Sequence, residues 1–269
     1  MFGRRAVPLA LVVVCLVVPG SAEAKGKPGG GPKQATGYDI SYPQCGGLFP
    51  TNVLFGIVGV NDGIVYSANP CLGSGDGASE LAWAEQYQQP AILYANTANP
   101  GPALSSHWPS GQTAPRFCDP ANADSADCAY DYGWNAAADS YRDAVNAYIS
   151  IGKQQAGAAQ TPQPNEWWLD VEIANSWEAN TTNNIAALQG EIDYLKTQGV
   201  STVGFYANSS DWQTITGNTT TFSAYPSWRA GGGSQTGAQS YCATAGFTGG
   251  PTKYSQYTAG GYDADVRCY

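Results

Sequence analysis

The order of predicted strands and helices is the feature that most restricts how this chain can fold. Short apolar runs typical of buried strands lie at residues 37–42, 55–60, 91–96, 167–173 and 202–207. Segments with the spacing of amphipathic helices separate several of these runs. Such an alternation predicts a parallel sheet covered by helices, because parallel strands are joined by crossover connections that are usually helical.

Two of the intervening segments show helical spacing clearly. In the first, apolar side chains recur at steps of four and three residues: Trp134, Ala138, Tyr141, Val145 and Tyr148. In the second, the apolar stripe consists of Ile185, Leu188, Ile192 and Leu195. We expect this second helix to begin near Thr181 or Thr182 and to end at Gly199.

The pattern changes near residue 225, after which no helix is predicted. Short strands are expected at residues 225–230, 239–243 and 253–257, separated by glycine-containing turns. The chain is therefore predicted to be of the α/β class, with a single TIM-like barrel whose last quarter closes without helices. The long segment 98–133 is expected to fold over one mouth of this barrel.

The amino-terminal residues predict export rather than part of the fold. Residues 1–24 have the form of a signal peptide: Arg4 and Arg5 precede an apolar run, and small residues precede the expected cleavage point after Ala24. Residues 25–36 are rich in Gly, Pro and Lys, which predicts a flexible tether, either a plain spacer or a basic arm. The barrel domain is expected at residues 37–269. We expect a secreted protein, extracellular or associated with the cell wall, without a membrane span.

Charge and histidine content exclude several classes of function. The net charge is -9, which argues against a nucleic-acid partner because such proteins present a basic surface. His107 is the single histidine, so sites built from two or three His ligands are excluded. We predict no metal and no cofactor, and we expect a monomer.

Six cysteines remain after the predicted signal peptide, and an even number in an exported chain predicts three disulfides. Fifteen connectivities are possible for six cysteines. Pairing of neighbours along the chain is the expectation: Cys45 with Cys71, Cys118 with Cys128, and Cys242 with Cys268.

Four acidic residues lie where predicted strands end at the carboxyl face of the barrel, the usual location of functional residues in this architecture. They are Asp39, Asp170, Glu172 and Asp263. If the strand 167–173 is continuous, Asp170 and Glu172 point to the same side of it. Two close carboxyls in an apolar setting cannot both ionise freely, so one stays protonated and can act as a general acid.

Short blocks along the chain resemble the glycoside hydrolase family 25 lysozymes. These blocks are GYDIS, WLDVE, GFYAN, YPSWRA, SQYT and YDADV. The resemblance implies an N-acetylmuramidase on a (β/α)5β3 barrel, with a polysaccharide, peptidoglycan, as its partner. It also implies that Glu172 is the general acid, that Asp170 assists it, and that Asp39 and Asp263 flank the site, with Asp265 a less favoured occupant of the Asp263 position.

Aromatic and amide side chains are expected to line the sugar groove. The family positions are matched by Tyr206, Trp228, Gln256 and Tyr257. We add Tyr94, Asn96 and Trp134 from their residue types, since rings stack on sugar faces and amides bond to hydroxyls. Trp167 and Trp168 are neighbours on one predicted strand, so one should face the barrel interior and the other a helix.

The chain departs from the family on its second and third strands. Residues 58–63 read VGVNDG where the family usually has a Lys-Ala-x-Glu-Gly segment, and LYANTANPG replaces an aromatic-His stretch. The resemblance is thus to a divergent, secreted branch of actinobacterial type. Two functions stay open: a hydrolase of β-1,4 linkages in peptidoglycan or another polysaccharide, and an inactive barrel that binds cell-wall glycan or has a structural role.

Overall fold

The protein folds into a closed eight-stranded barrel. A computed structural model describes residues 36–73, 78–152 and 162–268. The predicted signal peptide and the tether up to residue 35 lie outside these residues, and Thr36 begins the first strand instead of ending the tether. The strands, in chain order around the barrel, are β1 Thr36–Ile40, β2 Val53–Gly59, β3 Ile92–Asn96, β4 Glu166–Asp170, β5 Val203–Ala207, β6 Ser227–Arg229, β7 Thr252–Ala259 and β8 Tyr262–Arg267.

Strand direction gives the barrel one functional mouth. Neighbouring strands from β1 to β7 are parallel, whereas β8 runs antiparallel to both β7 and β1. The carboxyl ends of the first seven strands and the amino end of β8 therefore meet at the same mouth. This confirms the predicted α/β barrel.

Five α-helices follow strands β2 to β6 within the described part of the chain, whereas β1 is followed by a single 3-10 turn, Tyr42–Gln44. A second 3-10 turn, Pro120–Asn122, lies in the connection from β3 to the next helix. None of these described helices is long and apolar enough to cross a bilayer. The helices are α1 Glu80–Tyr87, α2 Ala126–Ser150, α3 Thr181–Thr197, α4 Ser209–Thr216 and α5 Gln235–Tyr241.

The two tryptophans of β4 divide the core into an inner and an outer layer, as predicted. Both side chains are fully buried. Trp168 lies inside the barrel, where its ring meets Trp228 and Tyr254 edge to face. Trp167 points outward and stacks on Tyr141 of α2 at 5.9 Å between ring centroids. Adjacent strand residues thus fill the interior and hold the helical layer against the sheet.

Helix α2 packs through its small residues rather than through the predicted aromatic stripe. Of that stripe only Tyr148 is fully buried, and the other members are half-buried. Gly133 brings α2 against α3 so closely that a Cβ there would lie 1.9 Å from the carbonyl oxygen of Ala187. Gly190 of α3 allows the reciprocal approach to Tyr130. The close helix contact therefore depends on glycines that lie beside the predicted stripes and not within them.

The limits of α3 agree with its sequence signals. Its N-cap, Asn180, accepts a hydrogen bond from the backbone N–H of Thr182, which satisfies a donor that the helix leaves free. The helix ends at Thr197, and Gly199 follows in the left-handed region with φ +84°. Glycine adopts this conformation without the steric cost that a side chain would add.

Two predicted strands are corrected by the structure. Residues 239–243 were expected to be extended but lie largely in α5, which begins after the N-cap Ser234 and buries Ala238. The predicted strand 167–173 ends at Asp170, although the N–H of Val171 still donates to the carbonyl of Tyr206. Glu172 therefore lies just beyond β4 at the mouth.

All three predicted disulfides are present: Cys45–Cys71, Cys118–Cys128 and Cys242–Cys268. The second joins the connection after β3 to the first turn of α2. The third joins the residue after β8 to the C-cap of α5.

Candidate active site

The predicted acids Asp170 and Glu172 meet at the mouth of the barrel. Asp170 is only 5% exposed and accepts a 2.7 Å hydrogen bond at Oδ2 from Nδ2 of Asn96. Its carboxyl also shares a hydrogen bond with the carboxyl of Glu172. Burial and the charge of Glu172 raise the pKa of Asp170 well above its usual range. The pair therefore holds a proton at a pH where isolated carboxyls are ionised.

Glu172 is the more open member of the pair, and a third acid acts on it. Burial, followed by the charge of Asp211, raises the pKa of Glu172. Asp211 lies in the first turn of α4, is 7% exposed, and accepts a hydrogen bond from the N–H of Ile173. We did not predict Asp211. The sequence feature that could have indicated Asp211 is Asn208, an N-cap residue type directly after a strand. In the structure Asn208 follows β5 and caps α4 by accepting the N–H of Asp211 at 2.8 Å.

A second carboxyl pair lies on β1 and β8. Asp39 accepts a 3.1 Å hydrogen bond from Nε2 of Gln256 and shares a hydrogen bond with Asp265. Burial, with the nearby charge of Asp263 as the next cause, raises the pKa of Asp39 to about 7. This second pair lies close enough for the charge of Asp39 to raise the pKa of Asp170 as well.

Asp263 and Asp265 occupy different depths on β8. Asp263 is exposed at the rim, opposite Asp39 in the strand register, and partial burial of its carboxyl raises its pKa. Asp265 is 1% exposed and accepts a 2.7 Å hydrogen bond from Nε1 of Trp228. The sequence analysis favoured Asp263 over Asp265 at this family position. In the structure it is Asp265 that lies inside the barrel and pairs with Asp39.

The described residues contain no group of three or more His, Cys, Asp or Glu side chains suited to hold a metal ion. The arrangement is instead one of carboxyls that retain protons, beside amide and phenol groups. Such a site can donate a proton and orient a polar substrate without a bound cofactor.

Comparisons with known proteins point to one family. Residues 123–243 match the family model described as Lysozyme-like protein 1. A 100-residue part of the chain, 37% of its length, is 33% identical to the "Probable GH family 25 lysozyme 4" of Dictyostelium discoideum and spans 45% of that protein. These parts of the chain are similar to lysozymes of the glycoside hydrolase family 25 type.

Solved structures agree on the fold of this family 25-like barrel. A muramidase from Trichobolus zukalii superposes with a TM-score of 0.52 and 18% identity over 87% of this chain and 93% of the muramidase. The modular autolysin LytC of Streptococcus pneumoniae gives a TM-score of 0.51 and 15% identity over 86% of this chain and 46% of LytC. The chain spans less than half the length of the curated relatives it matches.

Four of the seven predicted groove residues lie around the carboxyls: Tyr94, Asn96, Tyr206 and Gln256. Asn96 bonds to Asp170 as described, and Tyr206 donates from its hydroxyl to Oε1 of Gln256 at 2.7 Å. Burial, followed by the nearby charges of Glu172 and Asp39, raises the pKa of Tyr206. Tyr94 is similarly placed, with a hydrogen bond to Ser41 and with the charges of Asp39 and Asp170 nearby.

A fifth, Trp228, lies deeper in the family 25-like barrel. It is 2% exposed and packs on Tyr206 at 4.5 Å between ring centroids, with Trp168 on another side. Its indole supports the carboxyls from below through Asp265 and is not open to a polymer.

The other two predicted groove residues lie elsewhere. Tyr257 follows Gln256 on β7 and so faces the opposite side of the strand, where it packs with Ala238 of α5. Trp134 lies between α2 and α3, with its ring edge to face against Tyr194 at 5.4 Å. Neither contacts the carboxyl cluster, so both predicted groove roles are withdrawn.

Proposed function

We propose that this protein is a secreted glycoside hydrolase that cleaves β-1,4 linkages of peptidoglycan. The observation that carries the proposal is the Asp170–Glu172 pair, whose carboxyls share a hydrogen bond and whose pKa values are both raised. Glycosidases that work through two carboxyls need one of them protonated near neutral pH. Three disulfides support the secreted location, because disulfides persist in oxidising compartments.

In this proposal Glu172 delivers the proton. Asp170 is 5% exposed and bonded to Asn96, so it is less open than Glu172 to the glycosidic oxygen of a polymer at the mouth. Glu172 lies beyond the end of β4 and is more open. As the bond from the anomeric carbon to the glycosidic oxygen breaks, that oxygen takes the proton of Glu172 and leaves as a hydroxyl.

Asp170 then holds and polarises the nucleophile, which we propose is the 2-acetamido oxygen of the substrate. This oxygen bonds to the anomeric carbon, and the cyclic intermediate is opened by water. The water returns one proton to the carboxylate of Glu172 and leaves its oxygen on the sugar. Asp39 and Asp263 orient water or sugar hydroxyls across the mouth, and Asp39, with a pKa of about 7, changes charge near neutral pH.

The identity of the glycan is supported by the similar proteins. The solved structure of LytC is described as a complex with a synthetic peptidoglycan ligand, and the Trichobolus zukalii protein is described as a muramidase. Peptidoglycan carries the 2-acetamido groups that the proposed nucleophile requires.

A second candidate, an inactive glycan-binding barrel, is favoured by one observation. The Lys-Ala-x-Glu-Gly segment usual in the family is replaced by VGVNDG at residues 58–63, where Asn61 is 1% exposed. Asn61 accepts the N–H of Asn96 at 3.0 Å and donates to Ser140 of α2. An altered second strand is compatible with binding that has lost hydrolysis.

Digestion of purified peptidoglycan distinguishes the two candidates. After incubation with the protein, the reducing ends are reduced with borohydride and the modified sugar is identified. The hydrolase proposal expects reduced muramic acid. Binding to the wall with no new reducing ends from several wall preparations would support the inactive barrel instead.

A further inference from the structure

A cleft of about 220 Å³ opens beside the carboxyl cluster but does not contain it. Its walls come from the connections that follow β2, β3 and β4. Its main features are the rings of Tyr66 and His107, which stack nearly parallel with their centroids 4.1 Å apart. The proposed mechanism uses none of these groups.

The aromatic wall is held rigidly in place. Tyr66 has φ +64°, an uncommon backbone conformation for a residue with a side chain, and one that costs energy. Its hydroxyl donates to the carbonyl of Tyr132 at 3.1 Å, and Tyr132 in turn stacks on Trp108. A strained residue that is fixed by several contacts is often found at a ligand site.

The cleft adjoins the candidate active site through one of its lining residues. Asn175, one of its lining residues, donates its backbone N–H to the carbonyl of Glu172 at 3.0 Å. The side chain of Asn175 also donates to the carbonyl of Asp170 at 3.4 Å. A polymer lying across the carboxyls would therefore extend over this cleft.

The chemistry of the walls selects the kind of group that fits. None of the described lining residues carries a carboxylate, an ammonium or a guanidinium group. Besides Tyr66, His107 and Tyr132, the polar lining residues are Ser105, Ser106, Ser176 and Asn175. Ile64 and Leu104 are apolar and 64% and 79% exposed. Exposed apolar side chains beside a stacked ring pair, with neutral hydrogen-bonding groups, suit an uncharged ring that has apolar faces and an acyl group.

We propose that the Tyr66–His107 cleft is a subsite for an uncharged, N-acylated sugar ring of the same glycan that reaches the carboxyl cluster. This inference rests on the proposed function for the identity of the polymer. A charged peptide branch would meet no carboxylate, ammonium or guanidinium group among the described lining residues.

The test is calorimetric binding of a neutral probe, the tetramer of N-acetylglucosamine, to a Glu172→Gln protein that does not consume it. In that background, His107→Ala and Leu104→Ser should each weaken binding about fivefold to tenfold, as expected for the loss of one ring or apolar contact. Both residues are exposed, so these changes should not prevent folding. The matched control is Phe117→Ser, an exposed apolar residue on the same connection but outside the cleft, which should bind as the background does.

The outcomes separate the subsite from the hydrolase proposal. Equal binding by the background, His107→Ala and Leu104→Ser would overturn the subsite, and so would the absence of tetramer binding to any of these proteins. If the two cleft variants bind weakly while the wild type releases no reducing ends from any wall, the subsite stands and the hydrolase proposal fails. The fully deacetylated, cationic tetramer should lose the difference between the background and the cleft variants. If it keeps that difference in full, recognition of the acyl group is wrong.

Discussion

Asn96 on β3 donates a 2.7 Å hydrogen bond from Nδ2 to Oδ2 of Asp170 on β4, and the two residues are direct neighbours in the strand register. This bond favours the charged form of Asp170 and thereby lowers its pKa, against the larger effect of burial. The backbone N–H of Asn96 is fixed in turn by Asn61. One amide therefore adjusts how the Asp170–Glu172 pair holds its proton.

Asn96→Ala should shift the pH dependence of hydrolysis. Without the amide donor, the pKa of Asp170 rises further, so the pair keeps its last proton to a higher pH. We expect the basic limb of the kcat profile to move upward by about one pH unit, because a hydrogen bond to a charged group contributes about 1.5 kcal/mol or more. Asn135→Ala on α2, remote from the cluster, should leave the profile unchanged. An unshifted basic limb in Asn96→Ala would contradict the role of this bond.

Glu80 should make the protein less stable as the pH rises from 4.5 to 7. Glu80 is fully buried, and burial raises its pKa from 4.5 to about 7 despite a hydrogen bond from Asn69. The folded state therefore keeps a proton that the unfolded state has lost. About 3 kcal/mol of unfolding free energy, present below pH 4.5, disappears by pH 8.

Urea unfolding at several pH values checks this prediction. Glu80→Gln should flatten the fall in unfolding free energy between pH 4.5 and 8 by roughly this amount. The matched change Glu166→Gln, at a partly exposed ion pair with Lys253, should keep the wild-type slope. A Glu80→Gln slope equal to that of the wild type would show that Glu80 is not the group responsible.

The acids of β8 should differ in what their loss affects. Asp265→Ala leaves the buried Nε1 of Trp228 without its acceptor, so we expect a loss of unfolding free energy of about 1–3 kcal/mol. Asp263 is exposed at the rim, and Asp263→Ala should reduce hydrolysis while leaving stability nearly unchanged. Both variants are compared by urea unfolding and by release of reducing ends. If Asp263→Ala lowered the unfolding free energy and Asp265→Ala did not, the roles assigned to these two acids would be contradicted.

The barrel and its carboxyls were predictable because their signals are local. Apolar runs located β1 to β5, and the family-like blocks located Asp39, Asp170 and Glu172 at the ends of strands. Trp167 and Trp168 were expected to point to opposite faces of the sheet because successive side chains of a strand do so. Neighbouring cysteines paired as expected because each pair is brought together by adjacent elements.

The remaining features depend on tertiary contacts that the sequence pattern does not contain. Asp211 affects Glu172 only because α4 begins beside the end of β4. Trp134 has the residue type of a sugar platform, yet the close approach of α2 and α3 encloses its ring between the helices. Tyr257 is different, since its outward direction follows from the inward direction of Gln256 and could have been predicted.

The most direct measurement is release of reducing ends from purified peptidoglycan by the wild type and by Glu172→Gln. The control is Glu166→Gln, the same change at the opposite end of β4, away from the mouth. We predict wild-type release by the control and a loss of about 10²-fold to 10⁴-fold in Glu172→Gln, the usual contribution of a general acid. Equal release by Glu172→Gln and the wild type would contradict the assignment of Glu172 as the acid.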